Sequence, residues 1–103
     1  MKLTREEFDN YNRNGFLIKR NLFSNNEIEK ISIDIDSLAG KTPIFGKEMF
    51  YFENDLLKKD NKILNRIEKF CDYNKEFHEL AYSKRIINIL NKLFEGSPVL
   101  FKD

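Results

Sequence analysis

Residues 83–103, SKRIINILNKLFEGSPVLFKD, pack a helix, a stop and a strand into twenty-one positions. Ser83 is suited to cap a helix, because its hydroxyl can accept from an amide of the first turn. Ile86, Ile87, Leu90, Leu93 and Phe94 recur at helical spacing on one broad face. Gly96 offers the positive-φ residue that commonly ends a helix, and Pro98 prevents its resumption. Val99-Leu100-Phe101-Lys102-Asp103 then reads as an apolar strand. A strand of this kind with no polar tail behind it gives the expectation that the sequence stops where another segment begins.

Two more helix starts lie upstream. Thr4 and Glu7 form a T-x-x-E capping box flanked by Leu3 and Phe8 as a hydrophobic staple, and Gly15 closes that helix. Ser24 and Glu27 repeat the box, Phe23 and Ile28 repeat the staple, and Ile28, Ile31, Ile35 and Leu38 form a stripe that ends at Ala39-Gly40. Between them, residues 16–23 read as a strand whose apolar character weakens mid-way. Lys41 to Gly46 reads as a loop around Pro43. Glu48 to Glu53 is aromatic and strand-like, and Asn54 to Lys62 is a polar connection. Residues 63–70 leave helix and strand open, since Ile63, Ile67 and Phe70 fit one period and the short run fits the other. A short helix over Lys75 to Tyr82 leads into the closing segment. The class is α+β, a single domain over 1–103, with helices early and late.

At 103 residues there is room for one domain, and a hydrophobic content of 41% with ten Phe is enough for a core. Charged residues make up 34% and nearly cancel at +1, so neither nucleic acid nor an anionic membrane is indicated as a partner. Apolar runs of four or five residues are too short to cross a bilayer, and the charged N-terminus does not resemble a signal peptide. Cys71 is the only cysteine, which fits a reducing cytoplasm. Thirteen Lys against five Arg, with abundant Asn and Ile, suggest a microbial coding sequence of low GC content.

A single histidine, His78, rules out a three-histidine zinc site, a two-histidine iron site and a zinc finger built from this chain alone. On a short helix it is read as a residue without a special role. A Cys71–His78 nucleophile pair lacks an oxyanion loop and an orienting third group, and Cys71 is read as a small buried side chain. The four glycines are isolated, so no phosphate-binding loop exists. Asp34 and Asp36 point to different helix faces, and Glu53 and Asp55 belong to a solvated turn. Phe50-Tyr51-Phe52 could line a pocket, but alternate packing in a strand is the better account. From its residues alone, the chain offers no self-contained active site.

Three stretches, in order, resemble phytanoyl-CoA dioxygenase family proteins. They are Asn14-Gly15-Phe16-Leu17-Ile18-Lys19 with Leu22-Phe23-Ser24-x-x-Glu27-Ile28, then Arg66-Ile67-Glu68-Lys69-Phe70, then Leu93 to Asp103. The middle stretch is similar to a segment that microbial members carry as R-I-E-N-F. The resemblance covers essentially the whole chain. It implies the N-terminal lobe of an iron(II)- and 2-oxoglutarate-dependent oxygenase built on a double-stranded β-helix, with few strands packed by three to four helices. It makes residues 63–70 a strand and puts Lys102 near the cosubstrate. The family's H-x-D pair, second histidine and arginine are not matched here, since residue 101 is Phe, so no cofactor and no oxygenase turnover are expected of these 103 residues. Iron(II) and 2-oxoglutarate are implied for a longer relative only. The alternative is a non-catalytic module, and in either case exposed strand edges such as 98–103 would favour a homo-oligomer.

Overall fold

The computed structural model describes residues 2–58 and 60–103. The element order is α1 (Arg5–Asn14), α2 (Asn25–Ala39), β1 (Met49–Asn54), β2 (Lys62–Glu68), α3 (Lys75–Ala81) and α4 (Lys84–Phe94). The expected α+β class stands, with a single antiparallel hairpin as the sheet among the described residues.

Both capping boxes form. Glu7 N–H donates to Thr4 Oγ1 at 3.2 Å while Thr4 N–H donates to Glu7 Oε2 at 2.9 Å. In α2 the corresponding distances, Glu27 N–H to Ser24 Oγ and Ser24 N–H to Glu27 Oε2, are 3.3 and 2.7 Å. Ser83 caps α4 by accepting from Ile86 N–H, as its position suggests. The stop of α4 differs from the sequence reading. Glu95, not Gly96, adopts the left-handed conformation, with φ 52°. Gly96 N–H reaches back to Asn91 O at 3.2 Å, a six-to-one bond that needs the residue before it to be left-handed. Gly15 does take φ 78°, whereas Gly40 ends α2 in right-handed geometry.

Residues 62–68 are a strand, which resolves the open choice at 63–70. β1 pairs with β2 in the register Met49↔Glu68, Phe50↔Ile67, Tyr51↔Arg66 and Phe52↔Leu64, with a bulge after Tyr51. The bulge leaves Asn65 without an opposite residue and keeps Leu64 on the same face as Phe52. Two other expected strands do not form. Residues 16–23 run irregularly to a turn at Arg20–Asn21, and residues 97–103 follow an unassigned path. Apolar β-branched composition makes a strand only when a neighbouring edge supplies the ladder. The hairpin pairs with itself, and neither segment is laddered to it.

The core is small. Leu38, only 3% exposed, is buried with Cys71 and Phe77, and Ile31, Phe50, Ile67, Phe70, Leu80 and Ala81 pack around them. Phe70 meets Phe77 edge-to-face with ring centroids 5.2 Å apart. Asn74, the one buried polar residue among those described, does not cap α3; its amide donates to Phe70 O and Glu48 Oε1. That tie fastens the start of β1 to the turn after β2. At the other end α1 packs on α4, with Leu3 and Ile89 buried.

The radius of gyration is 17.0 Å, against about 13 Å for a compact domain of this length. Accessible surface is 8640 Å², against about 6,100 Å² for a compact monomer of 12.3 kDa. The elements form, yet much apolar surface is left uncovered.

Candidate functional site

The outer face of the hairpin gathers the polar side chains that the core excludes. Tyr51 and Arg66 are cross-strand partners, and the Arg66 guanidinium lies 4.2 Å from the Tyr51 ring centroid. Two positions on, Glu68 accepts from Tyr51 OH at 3.3 Å through Oε2. Its other oxygen, Oε1, is 3.3 Å from Arg66 Nε and 3.5 Å from Lys102 Nζ. Glu68 is mostly buried, whereas both cations are largely exposed. Two positive groups therefore converge on one carboxylate oxygen, leaving donors free towards solvent.

Lys102 is thus placed beside Glu68 and Arg66, on an unpaired segment and not on a strand. Its neighbour Asp103 explains why that segment lies where it does. Asp103 Oδ2 accepts from Cys71 N–H at 2.6 Å, which ties the segment to the turn after β2. Phe101, immediately before these two tethers, is 97% exposed.

The cysteine belongs to the core. Burial, reinforced by the carboxylate of Asp103, pushes the Cys71 thiol up to about 11. It is neutral at physiological pH and is not an activated nucleophile. His78 is exposed and stacks on Tyr82 with centroids 4.5 Å apart. Each member of the weighed Cys71–His78 pair is engaged elsewhere.

The acidic residues also have local duties. Asp55 Oδ1 accepts from Leu57 N–H at 2.8 Å and from Lys58 N–H at 3.3 Å, shaping the hairpin tip. Glu53 accepts from the Asn65 amide across the bulge. Among the described residues no three His, Cys, Asp or Glu side chains are grouped to hold a metal ion. The residues present do not fit an iron centre of the type the resemblance implies for longer relatives. Phe50 packs inward while Tyr51 faces outward, the alternation expected of a strand, and Phe50 also borders an open cleft beside Ile44 and Lys47.

A second polar hub joins distant elements. Arg85, at the start of α4, bonds Leu22 O at 2.8 Å and Glu27 Oε1 at 3.0 Å, and lies 5.0 Å from the Phe23 ring centroid. The capping glutamate of α2 is thereby also a salt-bridge acceptor. Glu7 does the same for Lys19, at 2.7 Å. The S/T-x-x-E spacing reveals both glutamates, but the cation that each meets is set by tertiary folding. An open groove of about 490 Å³ beside this hub is lined by Phe23, Ile31, Leu80 and Arg85 among others.

No protein-family model matches this chain, and no curated protein or solved structure is significantly similar to it. No helix among the described residues is long and apolar enough to cross a membrane.

Proposed function

We propose that this chain is the N-terminal lobe of an iron(II)- and 2-oxoglutarate-dependent oxygenase similar to the phytanoyl-CoA dioxygenase family, and that it acts as a brace and cosubstrate-contacting lobe and not as a catalyst. The finer fold assignment, part of a double-stranded β-helix, belongs to the same proposal. The observation that carries it is the convergence of Arg66 and Lys102 on Glu68 Oε1. A dicarboxylate such as 2-oxoglutarate could draw Lys102 away from Glu68, which keeps Arg66 and the Tyr51 hydroxyl. The motif order, Phe16 to Ile28, then Arg66 to Phe70, then Leu93 to Asp103, supports the same reading.

The chain's own residues supply charge and position only. Lys102 offers an ammonium group, Tyr51 and Arg66 hold Glu68 in place, and Asp103 fixes the segment that carries Lys102. None of them supplies the imidazole and carboxylate set that iron requires.

Titrating the purified chain with 2-oxoglutarate, followed by amide chemical shifts, tests the reading. Perturbations centred on Glu68, Cys71 and residues 101–103, lost in Lys102→Ala, would support it. The absence of any response there at millimolar ligand would overturn the cosubstrate role. Succinate released above background in an iron(II)/2-oxoglutarate assay would overturn the non-catalytic part.

A further inference from the structure

The loop between α2 and β1 is tied at both ends and in the middle. Lys41 N–H bonds Leu38 O at 3.0 Å, which joins the loop to the end of α2. Lys47 N–H bonds Ile44 O at 3.1 Å and closes a tight turn whose third residue, Gly46, takes φ 83°. A type II turn demands that sign of φ at that position, and glycine meets it without strain. Tyr73 OH donates to Gly46 O at 3.1 Å and so clamps the turn to the segment after β2.

Beside this turn is a cleft of about 390 Å³, lined by Phe50, Tyr73 and Ile44 together with Lys41, Lys47 and Glu48. A second cleft, of about 550 Å³, shares Ile44, Lys47, Glu48 and Phe50 and brings in Phe45 and Lys69. The charges are unequal, because three lysines line the two clefts against a single carboxylate. That carboxylate is already engaged: Glu48 Oε1 accepts from the amide of the buried Asn74 at 3.3 Å. Lys41, Lys47 and Lys69 make no ion pair among the described residues. Lys69 also departs from ordinary backbone geometry. It takes φ 58°, a region that disfavours a side chain, directly before the core residue Phe70. Non-glycine residues held there cluster at ligand clamps and switch regions. Apolar walls with a few fixed polar groups, at this volume, are the form of a small-molecule site.

We propose that the cleft binds a small organic carboxylate with a flat apolar body. The carboxylate meets the ammonium groups of Lys41, Lys47 and Lys69, and the body lies against Phe50, Tyr73 and Ile44. A bare inorganic anion would leave the aromatic lining unused, and a neutral hydrocarbon would leave the lysines unused. This site is separate from the cosubstrate reading, which rests on Glu68 and Lys102.

Titration of the full 103-residue chain with 2-naphthoate, followed by amide chemical shifts, is the test. Saturable shifts are expected at residues 41–50, Lys69 and Tyr73, with neutral 2-naphthylmethanol bound about tenfold more weakly. Lys41→Gln/Lys47→Gln should weaken 2-naphthoate about tenfold. Both lysines are exposed, so that variant should keep the parent's circular dichroism. Lys69→Asn separates binding from folding: asparagine tolerates the left-handed backbone, so the unfolding midpoint should rise while affinity falls. No shift at millimolar 2-naphthoate overturns the proposal, as does equal binding of the alcohol or undiminished affinity in the lysine variants. Shifts abolished by Lys102→Ala would place the ligand at Glu68 and overturn this site while leaving the cosubstrate reading intact.

Discussion

Glu27 serves three partners at once: the amide of Ser24, the Ser24 hydroxyl's capping geometry and the Arg85 guanidinium. The Arg85 contact, with the Ser24 bonds behind it, holds its carboxyl down to about 2 from 4.5. The folded value lies below the unfolded one, so the stabilisation is complete above about 4.5 and is lost as pH falls towards about 2. The wild-type melting temperature should therefore fall as pH drops across that window, and Glu27→Gln should flatten this part of the acid limb. An unchanged profile would show that the pair is solvent-screened to insignificance. Cys71 gives the opposite sign. Its value rises from 9.0 to about 11, so its contribution is present below 9.0 and is lost as pH climbs through about 11. Iodoacetamide should label it slowly at pH 8 in the native protein and rapidly after denaturation. Equal native and denatured rates would contradict its burial.

The starts of α1, α2 and α4 follow the same local chemistry, a hydroxyl accepting from a first-turn amide, so the energetics are those of an isolated cap. Ser24→Ala should cost about 1 kcal/mol in urea unfolding, because the Glu27 amide loses its acceptor. The stop of α4 is less well fitted. Glu95 sits at φ 52°, where a side chain is disfavoured by about 1 kcal/mol. Glu95→Gly should raise the unfolding midpoint, with little change in helix content by circular dichroism. A fall in the midpoint would mean that Glu95 makes a stabilising contact outweighing the backbone relief. Both helix starts were legible because a cap spans only four residues. The stop was misplaced by one position because the six-to-one bond from Gly96, not the presence of a glycine, decides which residue turns left-handed.

Across the molecule, the core limits stability. Five apolar residues are buried among those described, and Leu38 lies where α2, the hairpin and α3 meet. Leu38→Ala should cost roughly 2–5 kcal/mol, comparable to the whole stability of a domain this small. Loss of the cooperative thermal transition is expected by circular dichroism. A retained transition with a small shift would mean that stability resides mainly in the α1–α4 end. The hairpin is the other large-scale feature. Two strands alone are marginal in water, so its distal half should exchange amide hydrogens faster than Phe50–Tyr51.

The sequence by itself determined the helices, the hydroxyl caps at their starts, an aromatic strand read over 48–53 that forms over 49–54, and a histidine count too low for an iron-ligand set, because each depends on neighbours within a few residues or on residue counts. It did not determine which apolar segments become strands. Phe16 to Phe23 and Pro98 to Asp103 have the composition, yet a ladder needs a second edge, and only the paired hairpin provides one for itself. Tertiary structure also decided the polar hubs. Arg85 meets Glu27 across 58 residues and Asp103 meets Cys71 across 32, separations that no periodicity encodes. The physical reason is common to both cases: short-range hydrogen bonds are written in local spacing, whereas partner choice is fixed only when distant segments close around the same core.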